Sequence, residues 1–406
     1  MGCEKRNMKI NKALFQRNIC TVLFFGCLFC SSMYLFEMYN GFVSGIMLLF
    51  FSAMLYVFGT KSFVKKFFIQ YLFVIGTIIL SMFFNKSFES IDYRVLIVVT
   101  AAFLAVTSMT FDEFIAEYKK CIFLIAIVSV VLYSLFKISP QLFNRMPTYT
   151  WRYGSARFVN LWLTVVPVSM GDYFRNFGIF YEPGIFQFYL NLAIIFELFK
   201  SEKINVFKVL ILSVAVITTL STNGYITLVL IFFVYALRVN TKTKEKKKHN
   251  KKVTFFIIVT ILLIVFLVLL DQGIIGTRVF NKFVSTKESG SFYDRSNAIS
   301  YALKKSGNNP LLGVAARGIF DAYNVTFTPL NWLMMYGIVI EVIAMIGFSC
   351  FFINMTEKKW SQVALGICAF SSILSQDLSF EWIIWCLIFG GFKQLNSNSK
   401  ISLKEQ

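Results

Sequence analysis

Apolar residues fall along this 406-residue chain in blocks of roughly 17–23, each long enough to cross a bilayer core of about 30 Å as a helix. In lipid only a helix or a closed barrel pairs all of its own backbone, and unbroken blocks of this length specify helices. The pattern predicts twelve, over 19–36, 41–59, 67–84, 94–110, 121–138, 184–200, 206–221, 223–238, 253–270, 331–353, 360–375 and 379–393. The expected fold class is an all-α polytopic membrane protein. Two long loops interrupt the rhythm, at 139–183 and 271–330. Within the first, Phe158–Met170 is apolar but too short to span. It reads as an amphipathic or re-entrant piece at the membrane interface, with Trp151 and Trp162 as anchors. The chain thus divides into five helices over 1–138, a loop over 139–183, helices six to nine over 184–270, a larger loop over 271–330, and three helices with a tail over 331–406.

Composition agrees with the pattern. The chain is 57% hydrophobic and 15% charged, where a soluble domain carries about 25% charge. Its 48 Phe serve lipid-facing and interhelical surface rather than a cofactor box.

Charge then sets the orientation. With the basic N-terminus in the cytoplasm and the helices alternating, 26 of the 40 Lys and Arg fall on cytoplasmic segments. The short external turns hold only Lys86 and Arg94. This is the asymmetry of the positive-inside rule, and it puts both termini in the cytoplasm and both long loops outside. The net charge of +19 is therefore a topology signal, and a nucleic-acid partner is rejected. The run Lys242–Lys252 reads as an orientation anchor in a solvated loop. All eight cysteines fall in helices or on the cytoplasmic side, which predicts no disulfide, and their spacing fits no zinc site.

Lys and Arg do not share a side. Of 29 Lys, 23 are cytoplasmic; of 11 Arg, eight are external, namely Arg94, Arg145, Arg152, Arg157, Arg175, Arg278, Arg295 and Arg317. Topology disfavours external arginine, so these need another reason. A guanidinium offers a rigid fork that meets phosphate oxygens in pairs, which an ammonium cannot do. The cluster points to an anionic ligand, most simply phosphate or pyrophosphate. The plain alternative is loop ion pairing with Asp172, Glu182, Asp294 and Asp321.

The first loop closes with Arg175-Asn-Phe-Gly178-Ile-Phe-Tyr181-Glu182-Pro183-Gly184. Pro183 suits a first helical turn, which sets Glu182 at a helix mouth. There it is either a cap, favoured by the dipole, or a catalytic or sugar-binding carboxylate beside Arg175. The second loop holds Asp294-Arg295-Ser296, a surface helix, Asn309-Pro310-Leu-Leu-Gly313-Val314 and Arg317-Gly318. It closes at Thr328-Pro329-Leu330-Asn331-Trp332. Asn331 is polar at membrane depth, where polar groups are costly and often functional.

These segments resemble the bacterial O-antigen polymerase and ligase superfamily. Arg175–Gly184 looks like its R-x-x-G-x-F-x-E-P element. Arg295 with Asn309–Val314 looks like its Arg followed by N-P-x-x-G-x-G. Asn331 followed by Gly337 looks like its H-N…G start to the next helix. The motifs cover about 150–340. Two positions depart: Leu330 replaces the histidine and Ala315 the second glycine. The single histidine, His249, lies in a cytoplasmic loop, which excludes an external histidine base and argues for a polymerase over a ligase.

What the resemblance implies is a Wzy-type polysaccharide polymerase in the bacterial inner membrane, without cofactor or metal. It would join undecaprenyl-pyrophosphate-linked oligosaccharides at the outer leaflet, among membrane lipid, with a flippase and a chain-length regulator as candidate partners. Arg175 and Arg295 would stabilise the pyrophosphate leaving group, and Glu182 would accept the acceptor hydroxyl's proton. Arg152, Arg157, Tyr181, Asp294, Arg317 and Asn331 would bind substrate. The rivals are a ligase-type glycan transferase and a lipid-linked oligosaccharide flippase or transporter. A transporter should bury charge at mid-helix, and the helix centres here are nearly uncharged.

Overall fold

The computed structural model describes residues 2–31, 41–61, 65–150, 157–161, 163–167, 175–240, 291–316, 327–356 and 359–402. Within 2–14, 239–240, 291–295, 359–360 and 396–402 the description is of the backbone alone. The N-terminal part runs α1 (Gly2–Ser31), α2 (Gly41–Phe58), α3 (Lys65–Phe84), α4 (Ser90–Ser108), α5 (Phe111–Ile138) and the short α6 (Pro140–Asn144). Three short strands follow, β1 (Thr148–Thr150), β2 (Arg157–Asn160) and β3 (Val165–Pro167). Then come α7 (Pro183–Lys200), α8 (Val206–Thr218), α9 (Thr222–Asn240), α10 (Ser291–Asn308), α11 (Thr328–Ile353), α12 (Lys359–Ile373) and α13 (Trp382–Ser402).

Five of these helices, α2, α3, α4, α5 and α11, are long and apolar enough to cross a membrane. The chain is a multi-pass helical membrane protein with little sheet.

Several helices start earlier than hydropathy predicts. The fourth begins at Ser90 and takes in Asp92; the fifth begins at Phe111 and takes in Asp112, Glu113 and Glu117. Capping explains this. The Thr110 hydroxyl accepts from the Glu113 N–H at 3.3 Å, and the Glu113 carboxylate accepts from the Thr110 N–H at 2.8 Å. Such a reciprocal box starts a helix on polar residues, and acids in the first turn favour the dipole. The predicted helix 253–270, together with Trp151 and Trp162, lies outside the described residues.

The region read as an amphipathic or re-entrant piece, Phe158–Met170, is different where it is described. Its β2 and β3 pair antiparallel, Val159 opposite Val166, and β1 pairs with β2. Val159 and Val166 are buried with Phe136 and Phe143, so the sheet sits on the last turns of α5 and on α6. Period-two alternation over so short a run is hidden inside an apolar block.

Helix α7 is central. Every residue from Pro183 to Phe199 is buried, and α5, α8, α9 and α12 pack around it. It is shielded from lipid by protein, which is why it can carry Gln187, Tyr189, Asn191 and Glu197.

The contacts sort into two ends. At the lysine-rich end, Lys119 pairs with Glu197 at 3.1 Å, Gln16 reaches the Phe58 carbonyl, and Lys393 Nζ donates to the Met109 carbonyl at 2.6 Å. At the opposite end, Arg175, Arg94, the Asn309–Ala316 turn and the loop between α12 and α13 come together. An up-and-down path through the bundle produces this sorting.

Candidate functional site at the arginine-bearing end

The Arg175–Gly184 segment is bolted in place along its length. The Asn176 amide donates to Ser129 at 3.1 Å and to the Thr218 hydroxyl at 2.9 Å, and its own N–H donates to the Thr218 carbonyl at 3.0 Å. Val165 of β3 donates its N–H to the Gly178 carbonyl at 2.7 Å, which ties the sheet to the segment. Gly178 has φ +55°, and a Cβ there would stand 2.9 Å from the Phe186 ring. A glycine is therefore required at this turn. Phe180 packs on Phe186 and Tyr189, and half-buried Tyr181 rests against the main core.

This framework brings Arg175 and Glu182 into electrostatic contact. Burial pulls the Arg175 guanidinium below its ordinary range, and the Glu182 carboxylate works the other way. Arg175 Nε donates to the Thr219 carbonyl at 2.9 Å. This bond uses Nε and tethers the guanidinium at its base. Glu182 takes the N-cap position of α7, but its side chain makes no cap hydrogen bond. Its carbonyl accepts from the N–H groups of Ile185 and Phe186. Capping does not account for the carboxylate.

The second loop's motif forms a tight turn between α10 and α11. Val314 and Ala315 donate to the carbonyls of Met334 and Met335 at 2.8 and 2.9 Å, and Ile338 donates to Pro310 at 2.9 Å. Two left-handed residues shape it, Gly313 at φ +66° and Ala315 at φ +62°. Ala315, the departure from the family's second glycine, thus occupies a glycine-favouring conformation. Gly337 interrupts α11 with φ +74° and ψ −178°, and a Cβ there would collide with the Leu311 backbone.

The α3–α4 hairpin holds this turn from the other side. Asn85 donates to the Gly313 carbonyl at 3.0 Å, Ser81 to the Leu312 carbonyl at 2.5 Å, and the Ala316 N–H donates to Asp92 at 3.0 Å. Ala316 immediately precedes Arg317. None of Ser81, Asn85 and Asp92 was among the residues singled out from sequence.

Buried Asn331 donates to the Asp377 carboxylate, as does Ser379. Burial pushes the Asp377 carboxyl above its usual range and these bonds pull it back. Thr328 donates to the Gln376 carbonyl at 2.7 Å, and the Gln376 side chain lies against Gly184. The Ser375–Glu381 loop therefore joins the two motif segments. Beside it, Tyr189 donates to Glu381 at 2.6 Å, with the buried Arg94 guanidinium near the same carboxylate. Two acids in one short turn between apolar blocks were the available signal for this loop.

The remaining predicted residues are placed as follows. Arg157 lies in β2 and is exposed. Asp294 and Arg295 fall in the first turn of α10, where only the backbone is described. Arg152 and Arg317 lie outside the described residues. Among the described residues no group of three His, Cys, Asp or Glu could hold a metal ion.

A multi-pass helical membrane protein with a polar, arginine-bearing site at one end of its bundle is the class these features define. The family comparison makes it specific. Residues 207–335 match the sequence model of the O-antigen ligase family, which supports the O-antigen polymerase and ligase superfamily. The match spans α8 to the first turns of α11, so it includes Arg295, the Asn309–Ala316 turn and Asn331. It does not reach Arg175 or Glu182. No curated protein and no solved structure matches the chain.

Proposed function

We propose that this protein is a membrane polysaccharide polymerase that joins undecaprenyl-pyrophosphate-linked oligosaccharide repeat units at the outer face of the bacterial inner membrane. The observation that carries the reading is the Arg175–Glu182 pair: a guanidinium tethered through Nε, in electrostatic contact with a carboxylate that makes no cap hydrogen bond. In the reaction, an acceptor sugar hydroxyl attacks the anomeric carbon of the donor and the glycosidic bond to pyrophosphate breaks. Negative charge grows on phosphate oxygen as the lipid pyrophosphate leaves. Arg175 and Arg295 stabilise that charge, and Glu182 takes the hydroxyl proton. Tyr181, Asp294, Arg152, Arg157, Arg317 and Asn331 are assigned to substrate binding, and no step is assigned to a metal.

Helix lengths support a recessed site. With 13 and 15 residues, α8 and α12 reach only about 20 and 22 Å, less than the bilayer core of about 30 Å. Their arginine-side ends, which carry Thr219 and Gln376, then lie below the outer surface, where a lipid-borne pyrophosphate can meet Arg175. Twelve spans, with both termini cytoplasmic and the loops 139–183 and 271–330 external, complete the reading.

The family's description favours a second reading, a ligase that transfers a finished glycan once. The absence of a histidine outside the Lys-rich loop weighs against it. Purified protein in proteoliposomes, given a lipid-pyrophosphate-linked repeat unit alone, separates the two. A ladder of products one to many repeats long is expected. No product without a different acceptor would identify a ligase, and no product with any acceptor would reject both.

A further inference from the structure

Below Glu182, the three helices α7, α9 and α12 pack against one another along a seam of uncharged polar side chains. On α7, Gly184, Gln187 and Asn191 share one face at helical spacing. Gly224 of α9 lets Gln187 close in, with 3.0 Å left for a Cβ, and Gly184 does the same for Gln376. Lower down, the Thr227 and Ser371 hydroxyls bond at 2.9 Å and close the seam.

Polar residues between membrane helices usually bond across the interface and so glue it. This seam does so only in part. Asn191 donates to Gln187 at 2.9 Å and to the Gly224 carbonyl at 3.3 Å. Four amide atoms remain without partners: Gln187 Nε2, Asn191 Oδ1, Asn223 Nδ2 and Gln376 Oε1. Gln187, Asn191 and Gln376 are at least nine-tenths buried. Buried polar atoms are nearly always paired, because an orphan forfeits its whole solvation. Four of the ten such atoms among the described residues fall on these segments, under the proposed reactive pair, where a bound ligand would give them partners.

The chemistry of that ligand follows from the atoms. Two are donors, two are acceptors, and none carries charge. A hydroxyl both donates and accepts, so a ring bearing several neutral hydroxyls, or a hydroxyl and an acetamido group, satisfies such a set. A phosphate cannot, since it offers no donor to Asn191 or Gln376. We infer that the Gln187–Asn191–Asn223–Gln376 seam binds the neutral sugar residue next to the pyrophosphate and sets the enzyme's sugar specificity. This rests on the polymerase reading, since Glu182 two residues before Gly184 fixes where the reacting bond lies.

The test compares binding of the purified full chain to polyprenyl pyrophosphate with its binding to a panel of the same lipid carrying one neutral hexose or N-acetylhexosamine. The wild type should bind at least one sugar-bearing lipid tenfold or more tightly than the bare lipid. Gln187→Leu and Gln376→Met should erase that gain and leave bare-lipid affinity unchanged. Asn223→Ala, at a half-buried position, gives a third variant with less effect on packing. Variants that keep the full gain would make the seam helix packing only. A wild type that binds bare lipid but gains nothing from any sugar would overturn the inference and leave the polymerase reading standing. A wild type that binds neither lipid would overturn both.

Discussion

The bond from Arg175 Nε to the Thr219 carbonyl fixes the guanidinium before any ligand arrives. A lysine in its place would lose both the tether and the fork. Arg175→Lys should therefore be nearly as damaging as Arg175→Ala, at about 2 kcal/mol or more of transition-state stabilisation, read as polymer yield at matched membrane abundance. A lysine variant with full-length polymer would show that charge alone suffices. Ala315 gives a second test at this scale. Its left-handed backbone suits glycine, so Ala315→Gly should keep activity, whereas the β-branched Ala315→Val should remove folded protein from the membrane. The pairing of Arg175 with Glu182 was legible in sequence because the two stand seven positions apart on a single loop, with Gly178 between them. Asp377 and Glu381 were not, because their importance lies in contacts with Asn331, Tyr189 and Arg94 from three other helices.

Among elements, the α3–α4 hairpin and the Asn309–Ala316 turn act as one unit. Asp92 accepts the Ala316 N–H, one residue before Arg317 in the sequence. Removing its carboxylate in Asp92→Ala leaves the Ala316 N–H unpaired, at about 1–3 kcal/mol. Polymer yield should fall further than abundance does, and equal falls would reduce Asp92 to a purely structural role. Gly337→Ala forces a side chain into a backbone region open almost only to glycine, which costs on the order of 1–3 kcal/mol. A clearly lower thermal midpoint in detergent is expected; an unchanged midpoint would mean that α11 can straighten. Helix number and order in the described residues were largely legible from apolar blocks alone. Charged first turns were not, because caps rather than hydropathy start them, and the three-stranded sheet was hidden in an apolar run.

For the whole molecule, the segregation of lysine from arginine follows the sorting of contacts to two ends. Single cysteines on a cysteine-free background test the sidedness. Thr150→Cys and Asn308→Cys should react with an impermeant thiol reagent in intact cells, and Glu202→Cys should not; all three positions are exposed. The reverse labelling would invert the protein and place the arginine-bearing site in the cytoplasm.

The central claim is that this chain transfers glycans with a lipid pyrophosphate as leaving group and Glu182 as the base. Its most direct test is to count, in proteoliposomes, the polyprenyl pyrophosphate released against the glycosidic bonds formed. The wild type should release one for each bond. Glu182→Gln leaves α7 uncapped as before, so it should fold to normal abundance while both products fall by about 10²–10⁴. Release without bond formation, or a Glu182→Gln variant with wild-type turnover, would contradict the account.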